Sequence, residues 1–305
     1  MSNIKNQHYV PRFYLKGFSN EKLRVWAFDK TTAKSFPSNS GNLASENYFY
    51  DDKEIDEIFG AKFIEKSLGD IEDRIAPLLT RLLDNFDNRK VFKIDKQTKA
   101  QLCEYMSIQI LRTKEHRQSI LQMFTLMEQT LVEKSWLTQQ QVKSLGFQMD
   151  PERAKSLQIS HLLPGKSLKM ELVNSLNAHI CVIYKNTTQT PFYASDHPIA
   201  KRAHIINPVR SFSGYSSKGI EISFPLSSKY ILVLCERSMF QNYEQYENEV
   251  LILNDPQNII YYNSLQVRDS YRYVYCAEDN FDLAKEMVET HKELGDVSRK
   301  RSEIG

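Results

Sequence analysis

The sequence predicts an α+β fold, in which a long helical hairpin packs on a mixed or antiparallel sheet built from N-terminal strands and the C-terminal half. Three observations lead there. Glycine and proline number ten each in 305 residues, about 3% apiece, and so few breakers favour long regular elements over a loop-rich sandwich. Ile64, Leu68, Ile71, Ile75, Leu78 and Leu82 recur at three- and four-residue spacing, which draws one apolar stripe along a helix. Tyr230 to Cys235 is the longest apolar run, and its length suits a strand.

Taken in order, residues 1 to 52 open with Pro11, which can start a short helix carrying Phe13, Tyr14, Leu15 and Phe18. Leu23 to Phe28 alternates as a strand does, Asp29 to Thr32 reads as a turn, and Glu46 to Tyr50 as a second short strand. Residues 53 to 160 read as helical. Pro77 lies inside the first stripe, so a kink or break is expected near Ala76. Asp95 is an N-cap candidate for a second helix running to about Lys134. Beyond about Lys166, strands are expected at Ala178–Tyr184, Pro191–Ala194, Gly219–Phe224, Lys229–Cys235 and Arg272–Cys276. Helices are expected at Met239–Glu247, Pro256–Val267 and Phe281–Leu294, with a frayed polar tail from Ser298 to Gly305.

Composition narrows the function classes. Forty basic and 38 acidic residues leave a net charge of +2, too balanced to announce nucleic-acid binding by bulk charge, although a local basic patch is compatible with it. No run approaches the roughly 18 apolar residues of a membrane span, and no apolar leader opens the chain. The four cysteines form no CxxC pair, so they are expected to be reduced core residues of a cytoplasmic protein. A phosphate-binding loop, a Rossmann glycine fingerprint, His-Glu-x-x-His and Gly-x-Ser-x-Gly are all absent.

The polar signals lie elsewhere. At 100° per residue, Gln109, Thr113 and His116 fall on the same line as the apolar stripe of the second helix, with Arg112 on its flank. Glu104, Lys114, Glu115, Gln118 and Gln122 fall on the side expected to face water. A buried arginine needs a carboxylate, a phosphate or several carbonyls, and Glu72 on the first helix is a candidate partner. Glu65 shares the side of Glu72. Ser195-Asp196-His197-Pro198 ends a short apolar strand; Asp196 there can cap the turn, act as a base or bind a metal. His197 and His204 lack the spacing of a zinc pair.

These residues resemble a known family. His8-Tyr-Val-Pro-Arg-Phe-Tyr-Leu-Lys-Gly-Phe18 is similar to the His-Tyr-x-Pro-x-x-Tyr-Leu-x-x-Phe opening of a largely bacterial family known as domain of unknown function 4238. Glu72, Gln109-x-x-Arg112-Thr113, Ser195-Asp196-x-Pro198, Pro225-Leu226-Ser227 and Asn263 follow in the family's order. Two positions depart from it, with Lys114 where relatives often carry proline and His197 where asparagine is usual. The resemblance implies one family domain over about residues 1–297, and it groups His8, Arg12, Tyr14, Glu72, Gln109, Arg112 and Asp196 as site candidates.

Two readings follow. In the first, the chain is a phosphate-ester hydrolase, a nuclease in a bacterial defence or toxin setting, that takes a nucleic acid or nucleotide. His8 would serve as acid or base, with Arg12, Tyr14, Gln109 and Arg112 holding substrate. Glu72 and Asp196 would orient water or bind a magnesium or manganese ion. In the second, the same residues form a buried polar network inside a non-catalytic binding or scaffold protein, whose sixteen tyrosines and sixteen phenylalanines supply contact surface.

Overall fold

The computed structural model describes residues 5–88, 92–146, 148–165, 167–207 and 210–301. Strand β1 (Asn6–His8) pairs antiparallel with β4 (Ser45–Asn47), enclosing helix α1 (Arg12–Lys16) and the hairpin of β2 (Val25–Asp29) and β3 (Lys34–Ser38). Pro11 stands at the N-cap of α1, in line with its preset φ. A short α2 (Lys53–Phe59) leads into α3 (Phe63–Asp87), which buries Ile64, Leu68, Ile75, Leu78 and Leu82 as the stripe predicts. Contrary to expectation, α3 runs through Pro77 without a break. Pro77 and Asp73 are both exposed, so water can satisfy the carbonyl that proline leaves without a donor.

The expected second helix is two. The first, α4 (Lys96–Leu111), starts at Asp95, whose carboxylate accepts from the Thr98 amide at 2.6 Å. It stops at Arg112, and α5 (Lys114–Glu133) begins afresh on Thr113, whose backbone is extended and whose hydroxyl caps the His116 amide. Helices α3 and α4 do form a hairpin, since Arg112 meets Glu72 while Arg74 approaches Glu104, with the two chains running in opposite directions. The chain continues through α6 (Gln139–Ser144), α7 (Pro151–Leu162) and α8 (Ser167–Ala178). Helix α8 was not anticipated, although Leu168, Leu172 and Leu176 recur every four residues.

The second half builds two sheets from β5 (Ile180–Asn186), β6 (Ala194–Ser195), β7 (Ala200–Ala203), β8 (Ile220–Pro225), β9 (Tyr230–Cys235), β10 (Val250–Leu253) and, after α9 (Pro256–Asp269), β11 (Tyr273–Cys276). Five strands in the order β10-β5-β9-β8-β7 form a mixed sheet, parallel only between β10 and β5; β3-β2-β11-β6 form an antiparallel one. Both faces of the larger sheet are covered. Alternate residues Cys181 and Ile183 face the core shared with α3, α4 and the N-terminal motif, while Ile180 and Val182 face Ile259 and Leu265 of α9. A third cluster sets Phe28 and Val274 against α10 (Asp282–Thr290).

Three other expectations change. Residues 241–246 are a 3-10 turn rather than a helix, and the last helix ends at Thr290 with a 3-10 turn after it. The tail is held as far as Arg301: the Gln122 side chain donates to the carbonyls of Ser298 and Arg299 and accepts from the Arg301 amide. Residues 302–305 of that tail lie outside the described residues. All four cysteines are buried and free. No helix among the described residues is long and apolar enough to cross a membrane.

Candidate functional site

The opening motif is first of all a wedge. Tyr9, Val10, Leu15 and Phe18 are buried, and the Tyr14 ring stacks on Phe224 at 5.2 Å while its hydroxyl donates to the Pro225 carbonyl at 2.8 Å. Tyr14, expected to hold substrate, is a buried core residue here that ties the motif to Pro225. Gln109 is likewise sealed, its amide donating to the Tyr9 carbonyl at 2.9 Å.

Arg112 is the centre of this polar brace and is 2% exposed. Its guanidinium meets Glu72 at 2.8 Å and donates to the His8 carbonyl at 2.6 Å, and the Tyr50 hydroxyl returns a bond to its backbone carbonyl at 2.8 Å. The pairing with Glu72 is the one expected. These contacts are all internal to the protein. His8 keeps a half-buried ring whose Nε2 lies 3.1 Å from the Gly41 carbonyl, and burial holds its pKa below the usual histidine value. Arg12 lies exposed across Gly41, where an added Cβ would come within 3.1 Å of its guanidinium. Beside them, burial raises the Glu65 carboxyl to about 6.

Asp196 stands apart from that group. It is fully buried and accepts from the amides of Tyr271, Arg272 and Tyr273 at 2.7–2.8 Å, with Lys30 close by. Its carboxylate thus shapes the turn that brings α9 into β11. Among the described residues, no group of three or more His, Cys, Asp or Glu could hold a metal ion. Of the expected catalytic set, His8 and Glu72 lie about Arg112, whereas Asp196 is held by the turn into β11.

The open cavity is elsewhere. A cleft of about 1270 Å³ opens beside the α4–α5 break, where it is lined by Ile110, Leu111 and His116. Lys201 and Arg202 of β7, Arg210 and Arg268 line it too. Arg299, Lys300 and Arg301 come from the held tail. Glu115, expected to face water, is instead buried beneath them, 2.7 Å from Arg301 and 3.5 Å from Arg299. Seven cations face four carboxylates (Glu115, Asp269, Glu293 and Asp296), an excess that favours anions.

A family model described as "Protein of unknown function (DUF4238)" matches residues 6–280, about nine-tenths of the chain. The chain belongs to that family. No curated protein and no solved structure gives a significant match. The match takes in the brace, Asp196 and the β7 side of the cleft, whereas Arg299, Lys300 and Arg301 lie beyond it. In this DUF4238 chain the motifs meet through the helix break: the Thr113 hydroxyl lies 2.8 Å from Nδ1 of His197, and Gln158 donates to the Leu111 and Thr113 carbonyls. His197, one of the two departures, therefore still engages the adjacent motif.

The cleft residues were missed because they come from β7, α9 and the tail, segments that share no spacing. One imidazole on the cleft wall does predict a pH response. His116 lies 3.2 Å from Nδ1 of His161, and burial first, then that neighbour, lowers it to about 3. A depressed folded pKa favours the neutral ring, so its stability contribution is complete above about 6.5 and is lost as pH falls towards 3. Urea unfolding is expected to show about 2–4 kcal/mol lost between pH 7.5 and 4.5 through this group. His116→Gln should flatten part of that slope; an unchanged slope would refute the assignment.

Proposed function

We propose that this DUF4238 chain binds a phosphate-bearing ligand, a nucleotide or a nucleic-acid strand, in the basic cleft and hydrolyses its phosphate ester. The observation that carries this reading is the excess of arginine and lysine around a cavity of about 1270 Å³. Guanidinium groups offer two parallel donors to phosphate oxygens, which is why arginine dominates such sites. Arg202 and Arg210 are exposed at the cleft. Arg268 is fixed by Asp269 at 2.7 Å and by the Lys201 carbonyl, and a fixed cation loses less freedom on binding. The brace around Arg112 has a supporting part here, since it sets where α4 ends and α5 begins.

Fluorescence anisotropy with labelled single-stranded RNA and DNA tests the reading. Binding is expected, and it should weaken steeply between about 50 and 200 mM salt as counterions compete. Arg202→Glu and Arg210→Glu should each weaken it about tenfold or more. Absence of binding at low salt, or indifference to both charge reversals, would remove the cleft from consideration.

A further inference from the structure

We propose that the cleft takes single-stranded nucleic acid and turns duplex away, with unstacked bases seated on Ile206 and Leu168 while phosphates meet the arginines. The inference rests on the phosphate-ligand reading of the cleft and adds the class of ligand. It starts from an apolar surface that binding a bare phosphate would not require. Ile206 lines the cleft just after β7 and is 88% exposed. Leu168, in the first turn of α8, lines it too and is 38% exposed. Both leave apolar area in water that burial against a ligand would recover.

Topology brings this apolar surface to the cations. The Lys99 ammonium, near the start of α4, donates to the His179 carbonyl just after α8. The two helices therefore run antiparallel, and the start of α8 falls beside the end of α4, where Ile110 lines the same cleft. Lys201 and Arg202 precede Ile206 in the chain and Arg210 follows it, all in the lining. The Lys201 ammonium lies 4.6 Å from the centre of the Tyr215 ring, itself in the lining, and the Arg210 guanidinium lies 5.4 Å from that of Phe212. Cations interleaved with apolar and aromatic side chains make the kind of surface that single strands use, where phosphates meet charge and base faces meet rings or carbon.

A duplex offers no such match. Its bases are stacked inside, and its grooves show mostly hydrogen-bonding edges, with the thymine methyl as the chief apolar contact. Against a double helix, Ile206 and Leu168 would either stay in water or lose it to phosphates. Size points the same way. Pockets that enclose a drug-sized ligand hold ~300–1,000 Å³, and this cleft is only a little larger, at about 1270 Å³. That admits a few nucleotides of a flexible strand, whereas a double helix is stiff over many turns and cannot fold into it.

Competition for the full-length chain against a short labelled single strand, at fixed salt, tests the proposal. The competitors are the same strand unlabelled, its duplex, and an abasic strand of equal length and charge. The unlabelled strand is expected to displace the label. The duplex and the abasic strand should each require at least about tenfold more, because one seated base is worth about that much. Ile206→Ser, at a position almost wholly in solvent, should weaken strand binding by about three- to tenfold. It should leave the slope of log Kd against log salt unmoved, because no phosphate contact is lost. Leu168→Ser should behave alike, whereas Arg202→Glu should flatten that slope. Equal competition by the duplex or by the abasic strand overturns the proposal and spares the basic cleft; both arms use the wild-type chain. Wild-type affinity in both serine variants, or a loss in them that tracks the salt slope, overturns it as well. Absence of binding to every probe overturns the cleft reading itself.

Discussion

Replacing Arg112 by methionine is expected to destabilise the fold by about 3–5 kcal/mol, since one partner of a buried ion pair is removed and the other is left behind. The side chain is 2% exposed and joins three segments that are distant in sequence, through Glu72, the His8 carbonyl and Tyr50. Methionine fills much of the volume but gives no donor, so Glu72 and the His8 carbonyl both lose one. The companion double variant, Arg112→Met with Glu72→Met, should recover part of the loss, because apolar packing often matches a buried ion pair. Urea titration with circular dichroism reads both. A loss below about 1 kcal/mol for Arg112→Met would mean that the guanidinium is dispensable to the fold, and the view of Arg112 as a brace would fall.

Asp196→Asn should cost a similar amount, about 3–5 kcal/mol, for a different reason. One carboxylate oxygen accepts from Tyr271 and the other from both Arg272 and Tyr273. An asparagine amide can replace only one of those oxygens as acceptor; its NH₂ group must then face an amide N–H, donor against donor. Charge-assisted bonds of this kind are worth roughly twice neutral ones. The lost charge also removes a neighbour of Lys30, whose ammonium already donates to the Val267 and Ser270 carbonyls. Oligonucleotide binding per folded molecule should be unaffected. A variant of wild-type stability that has lost hydrolysis would instead restore the catalytic role expected for Asp196 from sequence.

These two residues mark what could be read in advance. Arg112 interrupts an apolar face and so calls for a partner, and Glu72 was one candidate, although spacing alone reads Glu65 and Glu72 equally as solvated carboxylates at the margin of the stripe. The turn at Ser195–Asp196 was equally legible from composition. The break at Thr113 was not. Arginine is a good helix former and threonine only a mildly poor one, and Lys114 occupies the first position of α5, where proline would have advertised a new start. Glu115 was misplaced for a related reason: its burial comes from Arg299 and Arg301, contributed by a tail that sequence reading treats as frayed. The cleft escaped notice because a net charge of +2 averages over the chain, whereas an arginine cluster is a property of surfaces that meet only on folding.

The four cysteines have a practical consequence. Each is buried, and burial pushes Cys103 up to about 11 and Cys276 to about 12, with Cys181 and Cys235 higher still. Thiolate is the species that reacts with alkylating probes, so the native chain is close to silent towards maleimides while folded. Single cysteines placed at the exposed Ser211 and Ser298 on the cleft rim would accept a dye or spin label without prior removal of the native four. The distance between two such labels could then be followed as an oligonucleotide is added.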